Sequence, residues 1–360
     1  MHVVFLRDGI RSRRRAGFGP QAQLRKCGVL PRYSGSMSEY PRRPLRVVLA
    51  GGSGLLGRVL AAGLQEQGHL ITVLTRSPYT APWMTMHWDA QTRGPWVEAL
   101  DGADVCIDLT GTGPWRRLSS ARRNQMVEAR LAVTELLGRT IAELIYPPKV
   151  WMLGSSIDVY PQASKRTDDL PMDETTAVRP ARRRAWRFAG ELARENEAAF
   201  FAFALERTRQ VTLRTSPVCA ADPASLFGRL SRLVRMGLGG ALGGGRQWVS
   251  WIHALDYVRA VEFLLERTDL EGVFNLTSPN PVRNRTLMAE LRWAWDVPNG
   301  LPAPWPAMEL AALALGPETV LLLKSRRVEP RRLLEAGFGF AFADWMEAAE
   351  ELAARYCERE

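Results

Sequence analysis

Three glycines lie between a predicted strand and a predicted helix, and their spacing suits the binding of a pyrophosphate. Gly51, Gly54 and Gly57 directly follow the aliphatic run 45–50 and precede apolar residues at helical spacing, which end at Gly68. The first glycine permits a tight turn, the second lets the backbone approach a phosphate, and the third lets helix and strand pack closely. The amino end of the helix then offers amide donors and a positive dipole end. The pattern predicts a dinucleotide-binding turn, although glycine triplets alone also occur in ordinary turns.

The second predicted strand, 70–75, is followed by a basic residue instead of an acidic one. A carboxylate here typically accepts a hydrogen bond from the ribose 2′-hydroxyl of NAD. The chain has Arg76 instead, and no acidic residue occurs between Glu66 and Asp89. Because a guanidinium can pair with a 2′-phosphate, the sequence predicts NADP over NAD. The alternative is that Arg76 is an ordinary surface arginine.

Strands and helices alternate along the chain in the manner of a parallel sheet. Further aliphatic runs at 105–110, 150–154 and 211–215 predict strands, and helical periodicity fills 119–144 and 181–203 between them. Such βαβ units build an α/β fold, here a Rossmann-type doubly wound parallel sheet.

The pattern changes after about residue 216, where a glycine run at 237–245 precedes mostly helical segments. We therefore expect a dinucleotide-binding domain at 45–220, with a strand near 249–276 interleaved into its sheet. A smaller, mostly helical C-terminal substrate lobe is expected at 221–357.

Basic residues are concentrated at the amino end, in a predicted tail spanning 1–44. Residues 1–45 hold ten basic and two acidic residues, whereas the rest of the chain holds 38 basic and 36 acidic. A nearly neutral body argues against a nucleic-acid partner. The tail lacks hydrophobic periodicity, so it could be a disordered arm or a targeting peptide, or translation could begin at Met37.

Composition excludes several other classes of protein. The apolar stretch 308–323 is broken by Gly316-Pro317 and holds two glutamates, so no membrane span is expected. Four dispersed cysteines and four dispersed histidines indicate neither a disulfide framework nor a metal site. We expect a cytoplasmic protein with a small-molecule substrate and no membrane partner, and the oligomeric state is left open.

Together with the glycine turn, three short segments resemble the extended short-chain dehydrogenase/reductases: Thr75-Arg76, Asp108-Leu-Thr-Gly111 and Ser155-Ser156-Ile-Asp-Val-Tyr160. Two later segments, 238–253 with Asp256 and 327–338, resemble a narrower group. These are the NAD(P)-dependent epimerase family proteins of unassigned substrate, which end in a C-terminal domain of unknown function. The resemblance spans about residues 45–350, and its most specific part is the Gln-Trp-x-x-Trp-Ile-His segment.

The resemblance implies a set of site residues. It assigns the pyrophosphate turn to Gly51, Ser53, Gly54, Leu55, Leu56 and Gly57. It assigns the rest of the cofactor site to Thr75 and Arg76 at the adenosine phosphate, Leu109, Thr110 and Gly111 at the ribose, Arg130 on the long helix, and Val218 near the nicotinamide. It assigns the substrate side to Gln247, Trp251 and His253. Of these, His253 could instead be a buried or capping structural residue.

The chain departs from the dehydrogenases at their catalytic Tyr-x-x-x-Lys pair, in which the lysine lowers the pKa of the tyrosine so that it can exchange a proton with substrate. None of the seven tyrosines has a lysine four residues later, and Ala189 and Ala193 occupy the aligned positions. Ser156 remains at the position of the catalytic serine, with Tyr160 as a substitute acid. The alternative for Ser156 is a serine that caps a loop.

These observations predict an atypical, NADP-binding short-chain dehydrogenase/reductase-like protein. If active, it transfers a hydride between NADP(H) and a carbonyl or alcohol carbon, as a reductase or an epimerase. The alternative is a non-catalytic NADP-sensing or interaction protein. The missing pair favours the alternative, whereas Ser156 and the aromatic, glycine-rich segment favour an enzyme.

Overall fold

Seven parallel strands form the central sheet of the computed structural model, which describes residues 43–111, 120–161, 170–179, 184–302 and 325–359. The strands of the chain are β1 (Arg46–Ala50), β2 (Leu70–Thr75), β3 (Met84–His87), β4 (Val105–Asp108), β5 (Val150–Ser156), β6 (Arg209–Thr215), β7 (Val218–Cys219), β8 (Trp248–Val249), β9 (Ile252–His253), β10 (Gly272–Leu276) and β11 (Val282–Arg283). The spatial order of the sheet is β10-β6-β5-β4-β1-β2-β3. The connections therefore run in opposite directions from the β1–β4 pair, which is the switch point where doubly wound sheets bind ligands.

Helices cover both faces of this sheet. They are α1 (Leu55–Glu66), α2 (Trp96–Leu100), α3 (Ser120–Glu143), α4 (Arg184–Phe201), α5 (Leu226–Arg235), α6 (Ala254–Glu266), α7 (Asn284–Ala294), α8 (Arg331–Glu335) and α9 (Trp345–Cys357). One core joins the sheet to α1 and α6, and another joins it to α3 and α4. Successive residues of β1 enter these two cores alternately, and burial on both faces explains why the strand is continuously apolar. The predicted Rossmann-type fold is confirmed.

A third core lies among α5, α7 and α9, around the large side chains Phe227, Trp251 and Trp345. Two short strand pairs accompany it: β7 runs parallel to β9, and β8 runs antiparallel to β11. Residues Arg42–Glu360 group into one compact unit. Except for residues 43 and 44, the predicted tail lies outside the described residues.

Three details differ from the sequence-based expectations. β3 forms an edge strand that was not predicted, because its residues Met-Thr-Met-His are exposed or half-buried and carry no aliphatic run. β4 ends at Asp108 instead of Thr110. β5 continues beyond residue 154, which carries Ser155 and Ser156 to the carboxyl edge beside β6. None of the described helices is long and apolar enough to cross a membrane.

Candidate functional site

A cleft of about 570 Å³ opens at the carboxyl edge of the sheet, above the switch point. The ends of four strands, the start of α1, the start of α5 and the segment around β8 supply its walls. Ten of the predicted site residues line it: Gly51, Ser53, Gly54, Leu55, Leu56, Gly57, Leu109, Gly111, Ser156 and Val218. The structure thus brings the glycine turn, the loop after β4 and the predicted catalytic serine to one opening.

The glycine turn has the geometry that phosphate binding requires. Gly51 adopts φ +73°, and a Cβ there would lie 2.6 Å from Thr110 Cα. A Cβ on Gly57 would lie 2.3 Å from the carbonyl oxygen of Gly52, so α1 packs tightly against the turn. A Cβ on Gly54 would have no atom within 4 Å, and no side chain caps the helix there. The first amides of α1 are therefore left for an anion at an open wall.

The end of β2 lies beside this turn but does not line the cleft. The amide of Gly51 donates to Leu74 O at 2.9 Å, which joins the two strand ends. Thr75 is buried and its hydroxyl accepts from the amide of Ser77 at 3.3 Å. Arg76 is exposed, and no described residue pairs with its guanidinium. This arginine is therefore available to a charge located on the β2 side of the turn.

Arg130 and Thr110 lie behind the cleft wall, where they hold the loop after β4. The carboxylate of Asp108 is fully buried and accepts from Thr110 N at 2.9 Å and from Arg130 Nη1 at 2.8 Å. Arg130 also donates to the hydroxyl of Thr110. Pairing compensates the buried charges, and the loop presents Leu109 and Gly111 to the cleft. In the structure Arg130 thus supports this loop, and its predicted role toward the cofactor stays a prediction.

Ser156 both caps a turn and faces the cleft. Its hydroxyl accepts from the amide of Asp158 at 3.1 Å and begins the 3₁₀ turn Ile157–Val159. The neighbouring Ser155 donates to Glu197 Oε1 at 2.5 Å, and Glu197 is bound in turn by Arg214. Both serines line the cleft, on successive residues of β5.

Tyr160, the predicted substitute acid, lies in a buried hydrogen-bond network and is not among the residues that line the cleft. Its side chain is fully buried, its hydroxyl donates to Asn275 Oδ1 at 2.8 Å, and it accepts from Arg214 Nη1 at 3.0 Å. Burial raises the pKa of Tyr160 above its ordinary value near 10. The 3₁₀ turn after β5 directs the phenol beneath the sheet edge, where it joins β6 to β10.

The three residues predicted on the substrate side do not line the cleft. Trp251 is fully buried with its ring 5.0 Å from that of Trp345, and the amide of Gln247 donates to Leu242 O at 2.8 Å. His253 is buried as well. Its Nδ1 accepts from Leu255 N at 3.1 Å, which caps α6, and its Nε2 lies 2.9 Å from a carboxylate oxygen of Glu351. The structural alternative for His253 is therefore the correct one.

Other side chains take their place in the wall. Trp248, Ser250, Arg229, Asp158 and Arg326 also line the cleft, and together with the predicted Ser156 they form its candidate substrate half. Trp248 carries the guanidinium carbon of Arg283 4.1 Å from its ring centre. Asp158 lies inside the Ser-Ser-Ile-Asp-Val-Tyr segment that the sequence singled out, which was the available signal for it. Arg326 immediately precedes the 327–338 segment and offered no local signal of burial.

Comparison with known proteins identifies the family of this chain. A model described as the NAD dependent epimerase/dehydratase family matches residues 47–277. The chain belongs to this family. A second model, described as a domain of unknown function, matches residues 303–352 and includes the cleft residue Arg326. Both matches confirm the predicted resemblance.

Individual relatives agree with the family assignment. Epimerase family protein SDR39U1 of Bos taurus is 29% identical over 317 residues, covering 86% of this chain and 100% of the relative. An epimerase family protein of Mycobacterium leprae is 30% identical over 296 residues, covering 82% and 91%. The crystal structure of human SDR39U1 with NADPH is 27% identical, covers 85% of this chain and 98% of that one, and has a TM-score of 0.72. UDP-N-acetylglucosamine 4-epimerase from Bacillus cereus, 17% identical with a TM-score of 0.65, shares the fold.

Proposed function

We propose that this protein binds NADP(H) and transfers a hydride between it and a carbonyl or alcohol carbon of a small-molecule substrate. The observation that carries the proposal is the open glycine turn at the uncapped amino end of α1, located at the switch point of the sheet. Family membership and the NADPH in the crystal structure of human SDR39U1 support it.

The residues present suit each part of this cofactor. Gly54 leaves room for a phosphate against the backbone, and the first amides of α1 point to the same place. The exposed Arg76 can pair with the 2′-phosphate on the β2 side. Val218, which begins β7 shortly after the end of β6, would border the nicotinamide. When bound, NADP(H) donates or accepts a hydride at nicotinamide C4.

The substrate half of the cleft supports an enzyme over a sensor. Ser156 stands in the wall with an oxygen that can orient a substrate hydroxyl or carbonyl. Trp248 offers an apolar surface beside it, and Ser250 offers a second hydroxyl. An apolar surface with a few polar groups suits the binding of a small-molecule substrate beside the cofactor. The thiols of Cys106, Cys219 and Cys357 are unpaired, which supports our proposal of a cytoplasmic location.

The test has a binding arm and a turnover arm. Titration of the protein with NADPH and with NADH, followed by the change in fluorescence on binding, measures the two affinities. We expect NADPH to bind more tightly than NADH. NADPH oxidation is then followed with nitrobenzaldehyde, methylglyoxal, phenanthrenequinone and UDP-glucose, with the alcohols and NADP⁺ for the reverse direction. Equal or tighter NADH binding would refute the choice of NADP.

Ser156→Ala separates catalysis from binding. We expect it to lower kcat by at least about tenfold with unchanged NADPH affinity, because in this proposal the hydroxyl orients the substrate and holds the Asp158 amide, and neither belongs to the cofactor site. Ser231→Ala is the matched control, since it also removes one hydroxyl, which accepts from Trp295 Nε1 at 2.8 Å in the lobe. Tight NADPH binding with no turnover of any compound in either direction would favour the sensor instead.

A further inference from the structure

The cleft contains few groups that could move a proton. Among the described residues that line it, the ionisable ones are Asp158, Arg229 and Arg326. Arginine stays protonated at any physiological pH, so it can stabilise charge but does not exchange protons. A serine hydroxyl likewise orients an oxygen without itself being a practical base. The carboxyl group of Asp158 is therefore the lining group whose chemistry suits proton transfer.

The backbone of Asp158 also lies next to the helix position that is aligned with the missing tyrosine. It follows Ser156 by two residues on the same 3₁₀ turn, and its amide donates to the Ser156 hydroxyl. On the other side, α4 packs against this turn so closely that a Cβ on Gly190 would lie 2.4 Å from the carbonyl oxygen of Asp158. Gly190 directly follows Ala189, the position aligned with the catalytic tyrosine of the dehydrogenases. Asp158 thus lies between the candidate serine and the vacated helix position.

Arg326 fixes the carboxylate from the C-terminal segment. Its Nη1 lies 2.6 Å from Asp158 Oδ1, and both side chains are more than nine-tenths buried. Its Nε donates to Tyr160 O at 3.2 Å, which ties the guanidinium to the end of the same turn. The backbone of Arg326 is anchored as well: its amide donates to Trp248 O, and its carbonyl accepts from the Ser250 hydroxyl. Trp248 and Ser250, which make these two bonds, both line the cleft.

We propose that Asp158 is the catalytic acid–base of this protein and that Arg326 is its positioning residue, so that this pair replaces Tyr-x-x-x-Lys. The inference rests on the proposed function. It also gives the C-terminal region of unknown function a task, because Arg326 belongs to the matched residues 303–352. The guanidinium of Arg326 holds the carboxylate of Asp158 in one orientation at the cleft wall.

Alcohol oxidation in this proposal consists of a proton transfer and a hydride transfer. The substrate O–H bond breaks, its proton passes to the Asp158 carboxylate, and the oxygen keeps the electron pair to form the carbonyl. The carbinol C–H bond breaks with its electron pair, which the oxidised nicotinamide accepts as hydride. In reduction the proton returns from the Asp158 carboxyl group to the developing alkoxide. Ser156 orients the same oxygen throughout.

The experiment uses the full chain and compares Asp158→Asn, Arg326→Gln and the double variant. We expect Asp158→Asn to lower kcat about 10²–10⁴-fold, the usual contribution of a general acid–base, with NADPH affinity within about twofold of the native value. Each single variant removes one partner of the buried ion pair and lowers the melting temperature. The double variant removes both charges, so it should regain thermal stability but not turnover.

Two further variants separate chemistry from folding. Formate should restore part of the turnover of Asp158→Ala, and Arg326→Lys should retain more turnover than Arg326→Gln, because the lysine keeps a cation beside the carboxylate. Glu351→Gln is the matched control. It disrupts the buried pair with His253 away from the cleft, and it should lower the melting temperature while kcat stays unchanged.

The outcomes distinguish this inference from the proposed function. If the native protein turns over a panel compound and the folded Asp158→Asn or double variant matches its kcat, Asp158 is not the acid–base, while the proposed function stands. If the native protein binds NADPH but turns over no compound, both fail. If it does not bind NADPH, the proposed function fails at its first step and the inference with it.

Discussion

The two halves of the cleft are built in different ways. The glycine turn at 51–57 and the loop after β4 form the cofactor half, where close packing leaves no room for a Cβ on Gly51 or Gly57. Side chains form the substrate half, and they come from distant parts of the chain. Arg326 and Asp158 are 168 positions apart in sequence, yet they form one buried pair.

This difference predicts how each half responds to substitution. In the cofactor half the damaging change is an added atom at Gly51 or Gly57, because a Cβ there meets backbone that cannot rotate away. In the substrate half the damaging change is a lost partner, because a buried charge or donor is left uncompensated. Substitutions in each half of the cleft can therefore test this contrast.

Gly57→Ala should have the largest effect. Its Cβ would overlap the carbonyl oxygen of Gly52 at 2.3 Å, so α1 must move away from the turn. We expect a loss of about 3 kcal/mol or more in the free energy of unfolding, the upper end of the range for overpacking. NADPH affinity should fall at least about tenfold, because the displaced helix no longer aims its amides at the phosphates. Urea unfolding and fluorescence titration measure the two effects.

Gly54→Ala is the matched control for this prediction. Its Cβ would meet no atom within 4 Å, so the free energy of unfolding should be unchanged. NADPH affinity should still fall at least about tenfold, because the methyl group occupies the space into which the phosphates approach. Native affinity in Gly54→Ala would show that the phosphates do not pass this residue.

His253→Ala should have the next largest effect, confined to stability. The substitution removes the cap of α6 and leaves Glu351 buried without its histidine. We expect the free energy of unfolding to fall by about 2–4 kcal/mol. NADPH affinity and kcat should stay within about twofold, since the side chain does not line the cleft. Unchanged stability together with a raised KM would indicate that His253 contacts the substrate.

His253 shows which kinds of site residue could be predicted from the sequence and which could not. The glycine turn was predictable because its requirements are local: a φ of +73° at Gly51 and close packing at Gly57 depend on neighbours within a few residues and on one adjacent loop. The segment 247–253 depends instead on two strands of two residues each, which pair with β7 and β11. A shift of one residue reverses the face of each side chain, so the sequence could not decide between Trp248 and Trp251.

Charged side chains of the substrate half were harder still to predict. The chain is rich in arginine, and nothing in the residues around Arg326 distinguishes a buried guanidinium from a solvated one. Only the approach of the C-terminal segment to the turn after β5 reveals the pair. Tyr160 shows the converse case, because a tyrosine four residues after the candidate serine fits a catalytic pattern while its phenol joins β6 to β10 in the structure.

Arg76→Gln tests the cofactor half without touching its backbone. Arg76 is exposed, so stability should be unaffected. NADPH affinity should fall by about 10–100-fold, which corresponds to the roughly 1.5–3 kcal/mol of hydrogen bonds between charged groups. NADH affinity should not change, since NADH lacks the 2′-phosphate. Titration of both nucleotides measures the ratio, and a parallel fall for NADH would show that Arg76 acts on a part common to both.

Tyr160→Phe should have the smallest effect, and its size should depend on pH. At neutral pH the change removes the donor to Asn275 and the acceptor for Arg214, which should cost about 1–2 kcal/mol in the free energy of unfolding, with kcat unchanged. Because burial raises the pKa of Tyr160, the unfolded chain releases this proton first as the pH rises past about 10. The unfolded state then binds fewer protons, so this group destabilises the native protein by up to about 1.4 kcal/mol per pH unit.

Phenylalanine has no such proton, and the difference in unfolding free energy between native and variant proteins should therefore narrow from about pH 9 to about pH 11. Urea unfolding across that range measures it, with Tyr146→Phe as the control because the ring of Tyr146 is exposed. A difference that stays constant with pH would mean that the phenol ionises as readily in the folded protein as in the unfolded chain. A matching loss of kcat would place Tyr160 in the chemistry after all.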